Sequence, residues 1–255
     1  MKVRVAILGA SGYTGLELIR LLLLHPQVEI TALATRREES PHVAEVHPQL
    51  TGQLDLHLEQ LNTDQIADRA DCVFGCLPHA ASAAVIAELM ETDAKVVDLS
   101  ADYRIKDRAT YESWYGVTHP DAGRLGKVPY GLPELYRDQI KDSKLVANPG
   151  CYPTSAILAL APLLKAGLIC KEHIVVDSKS GVSGAGRNPK PGFHYPECNE
   201  SFAAYAVGAH RHMPEIDQVL SDASGELLEV MFTPHLVPMD RGILSTCYAE
   251  PAAEA

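Results

Sequence analysis

The run Gly9-Ala10-Ser11-Gly12-Tyr13-Thr14-Gly15 constrains this chain more than any other segment, because of what flanks it. Residues 2–8 alternate and are rich in β-branched side chains, while Leu16, Ile19, Leu21 and Leu24 can share one helical face. The predicted start is therefore strand, tight loop, helix. In that setting glycines permit the turn, and backbone N–H groups at the helix N-terminus face an anion such as a dinucleotide pyrophosphate. A structural turn without ligand is the alternative, and the spacing departs from G-x-G-x-x-G.

The same alternation continues along the chain. Residues 28–34, 72–76 and 95–99 read as strands and 80–90 as a helix, which predicts a parallel sheet covered on both faces. Residues 102–137 are rich in Tyr, Pro and Gly without a clean period, and read as a long ordered excursion at the edge of the first domain. A strand over 144–147 leads into the turn Asn148-Pro149-Gly150 and a helix over about 152–166, which Pro162 is placed to end early. The domain boundary falls here. An α/β, Rossmann-type dinucleotide-binding domain over 1–147 is expected to precede a mixed α+β catalytic and dimerisation domain over 148–255. In the second part 173–180, 227–233 and 242–250 read as strands and 215–223 as a helix, enough extended chain for a dimer-forming sheet.

Composition narrows the partners. With 46% hydrophobic residues in 255, the chain can bury two modest cores. Its 22 basic and 33 acidic side chains give a net charge of -11, which argues against nucleic acid or an anionic membrane as the main partner. The six cysteines form no C-x-x-C pair, and residues 1–8 are too short an apolar run for a secretion signal, so reduced thiols and a cytoplasmic address are expected.

Several residues are candidates for chemistry. The second strand ends in Thr35-Arg36-Arg37 where an acidic residue would hold a ribose hydroxyl, and arginine suits a 2′-phosphate, hence NADP. A solvated charge run with Glu38 and Glu39 is the bland alternative. Cys151 lies where a helix begins, and a helix N-terminus stabilises a thiolate; the alternative is a small buried hydrophobe, the reading given to Cys72 and Cys76. His210-Arg211-His212 can supply a proton donor or acceptor and an anion site, whereas His173 inside a strand pattern reads as structural. A metal site would need more ligands. The run Ser180-Gly181-Val182-Ser183-Gly184-Ala185-Gly186-Arg187 can approach a ligand closely or form an anion nest, with a flexible hairpin as the alternative.

These segments, with Leu77-Pro78-His79, Asp98-Leu99-Ser100-Ala101-Asp102-Tyr103-Arg104, Met213-Pro214-Glu215-Ile216 and Phe232-Thr233-Pro234-His235-Leu236, together resemble the N-acetyl-γ-glutamyl-phosphate reductase family of the aspartate-semialdehyde-dehydrogenase-like superfamily. The resemblance spans essentially the whole chain. It implies NADPH-dependent reduction of N-acetyl-L-glutamyl 5-phosphate to the 5-semialdehyde in arginine biosynthesis, by a homo-oligomer (dimer or tetramer). It further implies Cys151 as nucleophile and His210 as acid/base, with Arg211, His212, Asn148 and Arg104 at the substrate. Cofactor contacts are implied at Gly9, Ser11, Gly12, Tyr13, Thr14, Gly15, Thr35, Arg36, Arg37, Leu77, Pro78, Ser180, Ser183 and Gly184, and no metal is implied. The family continues beyond the segment matching residues 241–248, so a C-terminal segment is expected to be lacking here. Rival readings are a sibling reductase of aspartyl phosphate or carrier-bound aminoadipyl phosphate, and a catalytically impaired nucleotide-binding protein. A cofactor-free Cys/His hydrolase is disfavoured by the glycine loop.

Overall fold

The computed structural model describes residues 1–36 and 38–253. The chain divides into two compact units, Met1–Asn148 and Pro149–Ala255.

Unit 1 opens with β1 (Val3–Leu8), α1 (Tyr13–Leu23) and β2 (Val28–Ala34). After the short α2 (Val43–Val46) come β3 (Leu58–Glu59), α3 (Thr63–Arg69), β4 (Cys72–Gly75), α4 (Ser82–Leu89) and β5 (Lys95–Asp98). The unit closes with α5 (Arg108–Tyr115), α6 (Pro133–Lys141) and β6 (Leu145–Ala147). The strands form one sheet in the order β3-β2-β1-β4-β5-β6, every pair parallel. β1 shows why: Val5 and Ile7 pack on one face with Leu16, Ile19 and Leu33, and Ala6 and Leu8 on the other with Ile66, Val73 and Ile86. A strand apolar on both faces needs cover on both, and βα crossovers supply it. The strand order reverses between β1 and β4, so the carboxyl ends of these two strands flank the crevice where such sheets take ligands.

Unit 2 contains α7 (Cys151–Lys165), β7 (Val175–Ser180), the short α8 (Tyr195–Cys198), β8 (Ala203–Ala204), α9 (Met213–Ser224), β9 (Met231–Leu236) and β10 (Ile243–Tyr248). Its mixed sheet runs β10-β7-β9-β8, parallel only between β7 and β9. Helix α7 buries Tyr152, Ala156, Ile157, Leu160 and Leu164, a helical stripe, while α9 buries Ile216, Val219 and Leu220 against it.

Four expectations need correction. The excursion over 102–137 contains two helices: Asp107 caps α5 through the Thr110 N–H at 2.7 Å, Gly116 ends it at φ 70°, and Pro133 opens α6. Pro162 does not stop α7, which runs on to Lys165. The strand expected over 227–233 sits further along, because the N–H groups of Leu228 and Val230 donate to Ser221 Oγ and Asp217 Oδ1 of α9 instead of a neighbouring strand. His173 precedes β7 in a turn, exposed and at φ 59°.

Candidate active site

In unit 1 the glycine loop is shaped by close approach. Gly9 has φ +73°, and a Cβ there would lie 2.4 Å from the Cys76 carbonyl oxygen, so no side chain fits between the ends of β1 and β4. A Cβ on Gly15 would come within 2.8 Å of the Ala10 backbone. Helix α1 begins after Gly12 with no side-chain cap and no acid in its first turn, which leaves its positive end to an anion.

Beside this loop lies a cavity of about 360 Å³ lined by Gly9, Ser11, Thr35, Arg36, Leu77 and Pro78, with Leu8, Ala34, Leu61, Ile66 and Val85 as its apolar floor. The size and mix of polar and apolar lining suit a small-molecule site. Arg36 reaches the Ala81 carbonyl at 3.4 Å, and Arg37 lies outside the described residues. The glycine loop, an arginine at the end of β2 and an apolar slot fit the adenosine end of a phosphorylated dinucleotide.

A buried polar network centred on the Asp98–Arg104 motif supports α4, whose Val85 lines this cavity. Asp102, wholly buried, accepts the Ala80, Ser82 and Ala83 N–H groups at 2.7, 3.2 and 3.0 Å, and the Tyr111 hydroxyl at 2.9 Å. It thereby caps α4 from a distant loop and holds Ala80 at φ 63°, a conformation that costs an alanine energy. Asp98 accepts the Ser82 and Ser100 hydroxyls at 2.9 and 2.7 Å; burial nevertheless pushes its carboxyl above the usual range. Arg104 is 5% exposed and donates to the Asn148 and Leu99 carbonyls at 2.7 and 2.8 Å. It holds the strand-end turn, and the Asn148 N–H is fixed in turn on the Asp98 carbonyl at 2.8 Å.

In unit 2 Cys151 is the first residue of α7 and is exposed. The Gly150 N–H before it donates to Glu215 Oε1 at 2.7 Å, and Glu215 is wholly buried in the first turn of α9. That bond ties the cysteine loop to the helix that follows His210-Arg211-His212 directly. The sequence placed Glu215 only in a resemblance motif and at the start of an expected helix; its burial was not legible.

His210 packs edge-on against Tyr152, Tyr205 and Phe232, with ring centroids 5.4, 5.6 and 5.4 Å away. Burial first, then the neighbouring Arg211 charge, lowers its pKa to about 4, so the ring is neutral at pH 7. Its Nδ1 accepts the His212 N–H at 3.1 Å, which leaves the proton of the neutral ring on Nε2. The Tyr152 and Tyr205 hydroxyls meet at 2.9 Å, and burial raises both pKa values.

Three further sequence expectations can be placed. The Gly181, Val182 and Ser183 N–H groups donate to the Gly242, Met239 and Asp240 carbonyls at 3.0, 2.9 and 3.0 Å, so these three donors are bound within the protein. Its glycine is required by that packing: a Cβ on Gly181 would sit 2.8 Å from the Arg241 nitrogen. Cys72 and Cys76 pack on the Ile7–Leu16 side of the core; burial raises both thiols, Cys76 to about 12. Among the described residues no group of His, Cys, Asp or Glu is arranged to hold a metal, and no helix is long and apolar enough to cross a membrane.

A doubly wound nucleotide sheet followed by a mixed-sheet unit with a cysteine at a helix start defines the semialdehyde dehydrogenase class. Residues 4–143 match the family described as semialdehyde dehydrogenase, NAD binding domain, and residues 151–255 match the corresponding dimerisation domain. The chain belongs to the N-acetyl-gamma-glutamyl-phosphate reductase family, as its motifs led one to expect. The reductase of that name from Rhodopirellula baltica is 54% identical over 252 residues, 99% of this chain and 73% of the relative. That from Pelotomaculum thermopropionicum is 52% identical over 255 residues, 100% of this chain and 74% of the relative. Aspartate semialdehyde dehydrogenase II from Vibrio cholerae shares the fold with a TM-score of 0.71 at 15% identity, over 99% of this chain and 75% of that one. The NADP-bound aspartate semialdehyde dehydrogenase from Candida albicans does so at 0.66 and 16%, over 98% and 71%.

Proposed function

We propose that this chain reduces N-acetyl-L-glutamyl 5-phosphate to N-acetyl-L-glutamate 5-semialdehyde with NADPH, in arginine biosynthesis, through a thioester on Cys151. The observation that carries the chemistry is an exposed thiol on the first residue of α7, where the helix dipole favours thiolate, with a neutral histidine packed on the next residue, Tyr152.

The Cys151 sulfur attacks the acyl carbon, the carbon–oxygen bond to phosphate breaks, and the proton lost by the thiol leaves on the phosphate. NADPH, when bound, supplies the hydride that reduces the thioester carbonyl. Gly9, Ser11, Gly12, Tyr13, Thr14, Gly15, Thr35, Arg36, Arg37, Leu77 and Pro78 hold it in this reading, with Ser180, Ser183 and Gly184 as contacts from unit 2. Cleavage of the carbon–sulfur bond then releases aldehyde and restores the thiolate.

His210 donates its Nε2–H to the oxygen that gains negative charge in each addition, because its Nδ1 is occupied by the His212 N–H. The ring thus serves as a neutral electrophile, a narrower part than acid/base. Arg211 and His212 are placed by sequence to meet the substrate anion, while Asn148 and Arg104 shape the turn before Cys151. Met231, Leu244 and Tyr248 leave the mixed sheet with exposed apolar side chains, which supports a homo-oligomer built on that sheet. The domain limits (1–147 and 148–255) and a cytoplasmic location remain part of this proposal.

The test is phosphate-dependent NADP⁺ reduction by N-acetylglutamate semialdehyde, with aspartate semialdehyde as control. Cys151→Ser should abolish turnover and thioester trapping while NADPH binding persists. Turnover by that variant would refute the nucleophile, and preference for the aspartyl compound would refute the substrate.

A further inference from the structure

We infer that His47 is a positioning residue of the nucleotide site: its Nε2–H fixes the Ala10 carbonyl inward and so turns the Ser11 N–H outward toward the pyrophosphate. The inference rests on reading the cavity at the end of β1 as the dinucleotide site.

His47 is 2% exposed, and its Nε2 lies 2.8 Å from the Ala10 carbonyl oxygen. A carbonyl only accepts, so Nε2 carries the hydrogen. The peptide between Ala10 and Ser11 is trans, and in a trans peptide the C=O and the following N–H point in opposite directions. Locking the Ala10 oxygen onto His47 therefore fixes where the Ser11 N–H points. Ser11 and Gly9 line the cavity, whereas Ala10 is wholly buried with its oxygen on the protein side.

The histidine is itself held rigidly. Its N–H donates to Val43 O at 2.8 Å, its carbonyl accepts the Leu50 N–H at 2.9 Å, and Val43 and Leu50 are wholly buried in the core that contains Ala10 and Leu16. On the opposite flank the tight Gly15 contact wedges Ala10 against α1. The loop is thus clamped between α1 and a side chain from the β2–β3 connection, and His47 supplies a polar hold on it. Preorganised N–H donors bind an anion without paying for reorientation at the moment of binding.

The experiment compares wild type, His47→Phe and His47→Gln in the full chain. Binding of NADPH and of adenosine 2′-phosphate, which keeps the base and 2′-phosphate but lacks the pyrophosphate, is followed by fluorescence titration alongside thermal melting and the kcat and KM for NADPH. His47→Phe should weaken NADPH about 10-fold, the scale of one misdirected charge-assisted hydrogen bond, and raise its KM rather than lower kcat. Adenosine 2′-phosphate binding should not change. His47→Gln, whose amide nitrogen reaches the position of Nε2, should restore NADPH affinity. If His47→Phe does not fold, His47→Asn replaces it, its amide falling one bond short of Ala10, with the same selective loss expected. Unchanged NADPH affinity, or equal loss for both ligands in step with melting temperature, would overturn the inference and leave His47 a core residue. Failure of the wild type to bind NADPH would instead overturn the dinucleotide reading, and this inference with it.

Discussion

Replacing Asp102 by alanine is expected to be the most damaging single change in unit 1 outside the apolar core. Three backbone N–H groups and one hydroxyl end on its buried carboxylate, at 2.7–3.2 Å. At about 1 kcal/mol net for each donor left behind, some of them rescued by water entering the space, the loss is about 4 kcal/mol. Against a total of about 5–15 kcal/mol for a domain, that is a large share. Tyr111→Phe removes one of the four donors and should cost about 1 kcal/mol. The double variant should lose no more than Asp102→Ala alone, because the hydroxyl has already lost its acceptor. Urea unfolding followed by tryptophan fluorescence reads this directly, since Trp114 is the chain's single tryptophan and lies on α5 beside Tyr111. A loss below about 1 kcal/mol for Asp102→Ala, or strict additivity in the double variant, would refute the network as described.

Other outcomes follow from the same geometry. Arg36→Ala should reduce the preference for NADPH over NADH by about 10-fold or more, with Arg37→Ala as the parallel measurement, and no change in either would remove the 2′-phosphate assignment. Because folding lowers the His210 pKa from 6.5 to about 4, the folded ring stays neutral, and its hydrogen-bond function intact, until pH falls through about 4, while the linked stability is full above 6.5 and is lost progressively between 6.5 and about 4. The kcat/KM profile should therefore show no histidine limb between pH 5 and 8, and a limb near 6.5 that vanishes in His210→Asn would contradict the electrophile role; that variant should itself lose about 10²–10³-fold. Ala80→Gly should stabilise unit 1 by about 0.5–1 kcal/mol through relief of its φ of 63°, and a melting temperature that falls would show that the strain is not stored there.

The nucleotide half was legible because its signals are local and redundant: a glycine cluster between a β-branched run and an apolar helical stripe admits few other folds. Helix α5 escaped because its core-facing surface rests on Tyr111 rather than on aliphatic residues, although Asp107 and Gly116 mark its ends. The two-residue strands β3 and β8 are too short to carry a period. Strand β9 runs through Pro234, a residue that argues against a strand interior, and Leu228 and Val230 just before it are diverted to α9 by side-chain bonds that no pattern predicts. In the candidate site Cys151 and His210 stood out as chemical types in turn contexts. Glu215 and Asp102 appeared only within motifs and His47 not at all, because what distinguishes them is burial against distant backbone groups, a tertiary property.

The exposure of Cys151 has a practical side. Of the six cysteines it alone is exposed, the others being half-buried. A thiol-directed dye should therefore label one position in unit 2, while Trp114 supplies one intrinsic emitter in unit 1. Energy transfer between them would follow the spacing of the two units in solution without a single engineered residue, at the cost of blocking the nucleophile and hence of watching the protein with its chemistry switched off.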